Sequence, residues 1–167
     1  MKFFNKTCDF LEFFFVQLMF ALMVIMVLTL FIQVINRFLL HWSLGWTQEV
    51  AIYSLFWLVM LGMSVALRRN VHLTVDFMLT KLKKSYRKYY QIGIYVVLIY
   101  ILGIILYQGL AFTFKTGTSM ISPGIGIKLL YIYIALPIAS AISMLFLVNN
   151  IIKLWIADFA DQELINF

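Results

Sequence analysis

Residues 13–35, FFFVQLMFALMVIMVLTLFIQVI, run for 23 positions without a charge and are broken only by Gln17, Thr29 and Gln33. A helix rises about 1.5 Å per residue and the hydrocarbon core of a bilayer is about 30 Å thick, so roughly 20 such residues cross it. Three more blocks read the same way. Residues 50–67 are 18 uncharged positions ending against Arg68-Arg69, residues 91–112 are 22, and residues 129–152 are 24 with Pro137 inside them. The first block outruns the roughly 7–15 apolar residues of a signal peptide and no small-x-small cleavage pattern follows it, so it reads as an anchor that stays. Composition agrees, with 64% hydrophobic and 12% charged residues against about 45–50% and about 25% in soluble domains. A water-soluble fold is excluded; two prolines and short polar tracts also exclude a disordered chain. The sequence predicts an all-α integral membrane protein, a single domain over residues 1–167 with four transmembrane helices.

The net charge of +6 resides in one segment: 68–88 holds Arg68, Arg69, Lys81, Lys83, Lys84, Arg87 and Lys88 against Asp76 alone. A short basic stretch between two apolar blocks marks a cytoplasmic loop, and contact with anionic phospholipids follows from it. Nucleic acid is thereby set aside as a partner. Four spans place both termini on one side. With 68–88 on that side, ten Lys and Arg are cytoplasmic and three (Arg37, Lys115 and Lys128) are outside, so the N and C termini are predicted to be cytoplasmic. Trp42 and Trp46 at the outer boundary and Tyr89, Tyr90 and Trp155 at the inner one suit interfacial positions. Val75, Met78, Leu79, Leu82, Tyr86 and Tyr89 recur at helical spacing among lysines and arginines, which predicts an amphipathic interfacial helix between spans two and three. Residues 113–128, with Thr116-Gly117-Thr118 and Ser122-Pro123-Gly124, read as an outer loop with a turn.

Little here resembles chemistry. None of the four blocks contains Asp, Glu, Lys, Arg or His. Burying such a residue costs about 2.5–3.5 kcal/mol on the insertion scale, so pumps and coupled transporters place them where function demands. The chain alone is not expected to couple ion flow. One cysteine, Cys8, leaves no disulfide or thiol-pair motif. His41 and His72 both lie outside the blocks, which removes bis-histidine haem ligation; no H-E-x-x-H is present, and no span histidine is available to activate a serine. The sequence is therefore read as a non-enzyme with no cofactor and no metal site. What the spans do offer is small residues: Gly62 with Ala66, and Ala135, Ala139 and Ser143 at i, i+4, i+8. These allow close helix approach, either within the chain or against another membrane protein. Pro137 is read as a kink at an internal packing site.

The informative region is 36–77. Singly, each residue has a plain explanation: Thr47 as an N-cap with Glu49 in the first turn, Arg37 at the interface, Arg68-Arg69 as anchors, His72 and Asp76 as an i, i+4 pair. Taken in order, Asn36-Arg37, Trp46-Thr47-Gln48-Glu49, Trp57, Leu61-Gly62 and Arg68-Arg69-Asn70-Val71-His72-Leu73-Thr74-Val75-Asp76-Phe77 resemble the small, DctQ-like membrane subunit of tripartite ATP-independent periplasmic (TRAP) transporters. The resemblance covers about 40 positions in residues and nearly the whole chain in topology. Gln48 stands where an acid often precedes the glutamate, and Asn70 near the place of a common glycine; asparagine tolerates left-handed backbone well.

The resemblance implies a small, non-catalytic scaffold subunit in a bacterial inner membrane. Its expected partners are a large, many-span DctM-like subunit, a periplasmic substrate-binding protein and phospholipids. The large subunit would work as an elevator in sodium-coupled uptake of an organic acid, of the sialic acid or C4-dicarboxylate class. Candidate interface or structural residues are Arg37, Trp46, Glu49, Trp57, Gly62, Arg68, His72 and Asp76, with Arg37 and Glu49 as candidate members of ion pairs within or between subunits. Lys115 and Lys128 are candidate contacts for the periplasmic partner. Alternatives of another class are an independent homo-oligomeric channel or exporter, for which Gln17 and Gln33 make no continuous polar stripe, and an anchor for a different complex.

Overall fold

The structure, a computed structural model, describes residues 2–40, 45–69 and 84–165. Helix α1 spans Lys2–Ile35 and ends in a π-helical turn, Asn36–Leu40; α2 spans Gly45–Arg68, α3 Lys84–Gly117, α4 Leu130–Tyr133 and α5 Ala135–Ile165. Four stretches are long and apolar enough to cross a membrane: Lys6–Leu39, Gly45–Arg68, Tyr90–Gly117 and Leu130–Ile152, the last made of α4 and α5 together. These are the four apolar blocks, lengthened at most ends. Hydropathy marks only the part of a helix inside hydrocarbon, whereas backbone hydrogen bonding carries on until a cap or turn meets the orphan groups. Thr116 and Gly117 accordingly belong to α3, and the connecting loop starts at Thr118, later than the sequence reading placed it. Most of the amphipathic segment, with His72 and Asp76, lies outside the described residues. From Lys84 a helix runs on through Tyr86 and Tyr89 into the third span.

Packing follows the order α1–α2–α5–α3, with the principal contacts between α1 and α2, α2 and α5, and α3 and α5. Only 6% of the most apolar window of the first span is buried, against 44% of the fourth. So α1 lies on the flank and α5 at the centre. Phe15, Leu61 and Val65, with Met19, Trp57 and Ile142 against them, join α1, α2 and α5. A second cluster, Leu67, Tyr95, Leu102 and Leu147, joins α2, α3 and α5.

The small residues resolve the choice between internal and external packing. Ala135, Ala139, Ser143 and Ser64 are all buried. The Ser143 hydroxyl donates to Ser64 Oγ at 2.9 Å, and the Ser64 hydroxyl donates to the Ala139 carbonyl at 3.0 Å. This stripe therefore seats α2 on α5 within the chain. Gly62 faces the other way, where an added Cβ would stand 3.3 Å from Met19 Cε of α1.

Between α4 and α5 the helix breaks at Ile134. Proline has no N–H, so Pro137 cannot donate to the carbonyl four residues back, which belongs to Tyr133. The Thr113 hydroxyl of α3 donates to that carbonyl instead, at 3.1 Å. One turn further along α3, Gly117 lies so close that a Cβ there would be 2.8 Å from Leu130 Cα. Pro137 is buried at this helix junction, as the kink reading expected.

Two glycines of α3 therefore make opposite predictions. Gly103 has nothing within 4 Å of an added Cβ, so Gly103→Ala should stabilise by up to about 0.8–1 kcal/mol through helix propensity. Gly117→Ala has to move backbone and should lower the thermal unfolding midpoint in detergent micelles. Equal midpoints for the two variants would contradict the close approach.

Candidate functional site

The first polar station is at the start of α2. Glu49 lies one turn into that helix, and its carboxylate turns to the loop between α3 and α4. Oε1 accepts the Gly124 N–H at 2.9 Å, and Oε2 accepts the Ile125 N–H at 3.2 Å together with the hydroxyl of buried Ser122. The loop is shaped to offer these donors. Ser122 N–H donates to Ile127 O at 2.8 Å and Gly126 N–H to Ser122 O at 2.9 Å, closing a tight turn. Gly126 takes φ +76°, a left-handed conformation suited to glycine. Gly124 is required by proximity, since a Cβ would stand 2.9 Å from Glu49 Cδ and 3.1 Å from the Gly45 carbonyl carbon. Charge-assisted bonds of this kind are about twice as strong as neutral ones.

The second station is at the other end of α2. Arg68 has a side chain only 4% exposed and pairs with Asp9, and through Nε with Glu12 at 3.5 Å. Glu12 also binds Arg69 Nε at 2.6 Å, so one carboxylate bridges two arginines. The guanidinium carbon of Arg68 lies 5.5 Å from the Phe146 ring centroid, within cation–π range. Asn150 Nδ2 donates to the carbonyls of Leu67 and Arg68 at 3.1 and 3.4 Å, meeting two acceptors that the end of α2 leaves unpaired. Two buried donors, Arg68 Nη1 and Asn149 Nδ2, find no acceptor among the described residues.

Several sequence readings change accordingly. Thr47 is not the N-cap: α2 begins at Gly45, and Thr47 is fully buried inside its first turn. Glu49 is not paired with Arg37 among the described residues, because the loop takes up its carboxylate; Arg37 stands exposed in the π-helical turn. Arg68 is no mere interfacial anchor but a buried ion-pair member. Trp46 is 40% exposed at the start of α2, while Trp57 and Gly62 pack toward α1. Lys115 and Lys128 are exposed at either end of the loop that Glu49 holds. His72 and Asp76 lie outside the described residues. The structure adds Asp9, Glu12, Ser122, Phe146 and Asn150. Of these, the acids were within reach of the sequence: antiparallel spans one and two bring the start of one beside the end of the other. Among the described residues no group of three His, Cys, Asp or Glu gathers as a metal site. What both stations do is fasten helices and a loop.

Comparison with known proteins bears on this arrangement. Residues 26–157 match the family described as tripartite ATP-independent periplasmic transporters, DctQ component. The chain is also 27% identical over 112 residues to the sialic acid TRAP transporter permease protein SiaT of Haemophilus influenzae (strain 86-028NP). That match takes in 67% of this chain but 18% of the relative, so the chain corresponds to about a fifth of a much longer protein.

The Arg68 station predicts a reversal of sign in a mutant series. Asp9→Ala with Glu12→Ala leaves a buried, unpaired guanidinium and should cost about 3 kcal/mol, the lower end of the buried-pair range because Asp9 is 67% exposed. Adding Arg68→Met should recover most of that loss. A triple variant as unstable as the double one, measured by denaturation in micelles, would show that the cluster carries no buried-charge penalty.

Proposed function

The chain belongs to the DctQ component family of tripartite ATP-independent periplasmic transporters, and we propose that it is the small, non-catalytic scaffold subunit on which the large subunit works. In this reading the protein sits in the bacterial inner membrane with both termini cytoplasmic, the Arg68 station inside and the Glu49 station facing the periplasm. It braces a larger, elevator-type membrane subunit during sodium-coupled uptake of an organic acid that a periplasmic binding protein delivers. Sialic acid is the substrate named for the Haemophilus influenzae relative, and it is the substrate class proposed here.

One observation carries the proposal. Between the two stations, buried hydroxyls of the bundle interior bond within the chain: Ser64 to Ala139, Ser143 to Ser64, Thr113 to Tyr133. A conduit would need polar groups turned toward a path, with ionisable side chains along it. Instead the polar groups hold the helices to one another and leave apolar faces outward, α1 above all. Such a body suits a fixed support, and the length of the relative supports a larger partner region.

Gentle purification of the tagged chain from its native membrane should bring down a many-span protein. Glu49→Ala, by releasing the loop it holds, should lower recovery of that protein. The double charge reversal Lys115→Glu with Lys128→Glu should weaken solute uptake and leave recovery unchanged. Solute accumulation in liposomes by this chain alone would overturn the scaffold role.

A further inference from the structure

Beneath the loop held by Glu49 lies a groove of about 350 Å³, walled by Leu22 of α1, Val50, Tyr53 and Trp57 of α2, Ile127 of the loop and Tyr131 of α4. We propose that this groove seats one acyl chain of an anionic phospholipid from the leaflet on the Glu49 side, with the phosphate held at its rim by Lys128. The inference needs only that the chain is embedded in a membrane, and only its second readout draws on the transporter reading.

Three features argue for that occupant. The groove lies at the right depth: Val50, Tyr53 and Trp57 occupy the first turns of a membrane-spanning helix below Trp46, and Tyr131 opens the fourth span. Hydrocarbon therefore reaches its open side, and its lining is almost wholly apolar. Charge favours an anionic headgroup. Lys128 is exposed, adjoins Ile127 of the wall, and is one turn before Tyr131, whose N–H donates to the Lys128 carbonyl at 3.3 Å. The nearby acid, Glu49, keeps its negative charge, but its carboxylate is turned into the loop by Ser122, Gly124 and Ile125 and forms no ion pair with Lys128 among the described residues. Finally, the walls are held in place from both sides by that clasp and by the packing of Trp57 against the cluster of Phe15, Leu61 and Val65. A preformed slot loses little freedom when a flexible chain enters.

Trp57 supplies the probe. In the full chain with Trp42→Phe, Trp46→Phe and Trp155→Phe, it is the single tryptophan, excited beyond the absorption of tyrosine. Phosphatidylglycerol brominated on its acyl chains, titrated into the protein in detergent micelles, should quench Trp57 saturably. Half-saturation should come at roughly fivefold lower lipid than with brominated phosphatidylcholine, the factor that one lysine supplies near an anionic headgroup. Lys128→Glu, an exposed change that leaves the fold intact, should abolish that preference, and Val50→Phe should block quenching by filling the slot. Non-saturating quenching, equal for both lipids and indifferent to Lys128→Glu, would mean ordinary surrounding lipid and overturn the site. The complex with the large subunit gives a second readout. Persistent quenching there supports a lipid seat, whereas loss of quenching shows that the groove receives a protein helix and overturns it.

Discussion

Hydrocarbon offers no hydrogen bonds, so a polar group inside a membrane protein has to find its partner within the protein. That constraint organises this fold. Between the charged ends of α2, the polar groups that join it to α5 are small: the Ser143 and Ser64 hydroxyls and the Ala139 carbonyl. The charges that tie the bundle together, on Glu49 and Arg68, stand at the two ends of α2, Glu49 among donors and Arg68 beside carboxylates. Bonds between hydroxyls in membranes average only about 0.6 kcal/mol. Their value here lies in fixing which faces meet, since lipid competes with side chains for apolar contact on nearly equal terms.

The two flanking helices are fastened at opposite ends. Asp9 and Glu12 tie α1 to the end of α2, next to Arg68 and Arg69. For α3 the polar attachment is at the far end, through Thr113, next to the close approach of Gly117 to Leu130. Helices α2 and α5, between them, carry the serine link and the Asn150 cap. The result is a centre held along its length with a strut on each side. It agrees with membership of a family of transport components.

The four spans were legible from the sequence because hydrophobic length is a local property, readable from 23 uncharged residues at a time. So was the stripe of Ala135, Ala139 and Ser143, which helical periodicity alone places on one face; that the face is internal was not. The Glu49 station was not legible. Its donors lie 73 to 76 positions away, and two of the three are backbone amides, which carry no residue signature. A local rule, helix-dipole compensation, accounted for Glu49 well enough to hide the nonlocal one. The Arg68 cluster was hidden differently: dibasic ends of apolar blocks are so common as anchors that Arg68 and Arg69 looked self-sufficient. Only the pairing of spans one and two sets Asp9 and Glu12 beside them.

Thr113 and Pro137 illustrate a dependence in time as well as in space. The carbonyl of Tyr133 is met by a side chain from a different helix because the proline withdrew the donor that would have served it. With an ordinary residue at 137, the threonine is dispensable; with proline there, it is needed. An ancestral chain that acquired the threonine first could accept the proline without harm, whereas the opposite order passes through an intermediate with an unserved carbonyl. The two positions are thus coupled, and a change at one has a different cost according to what stands at the other.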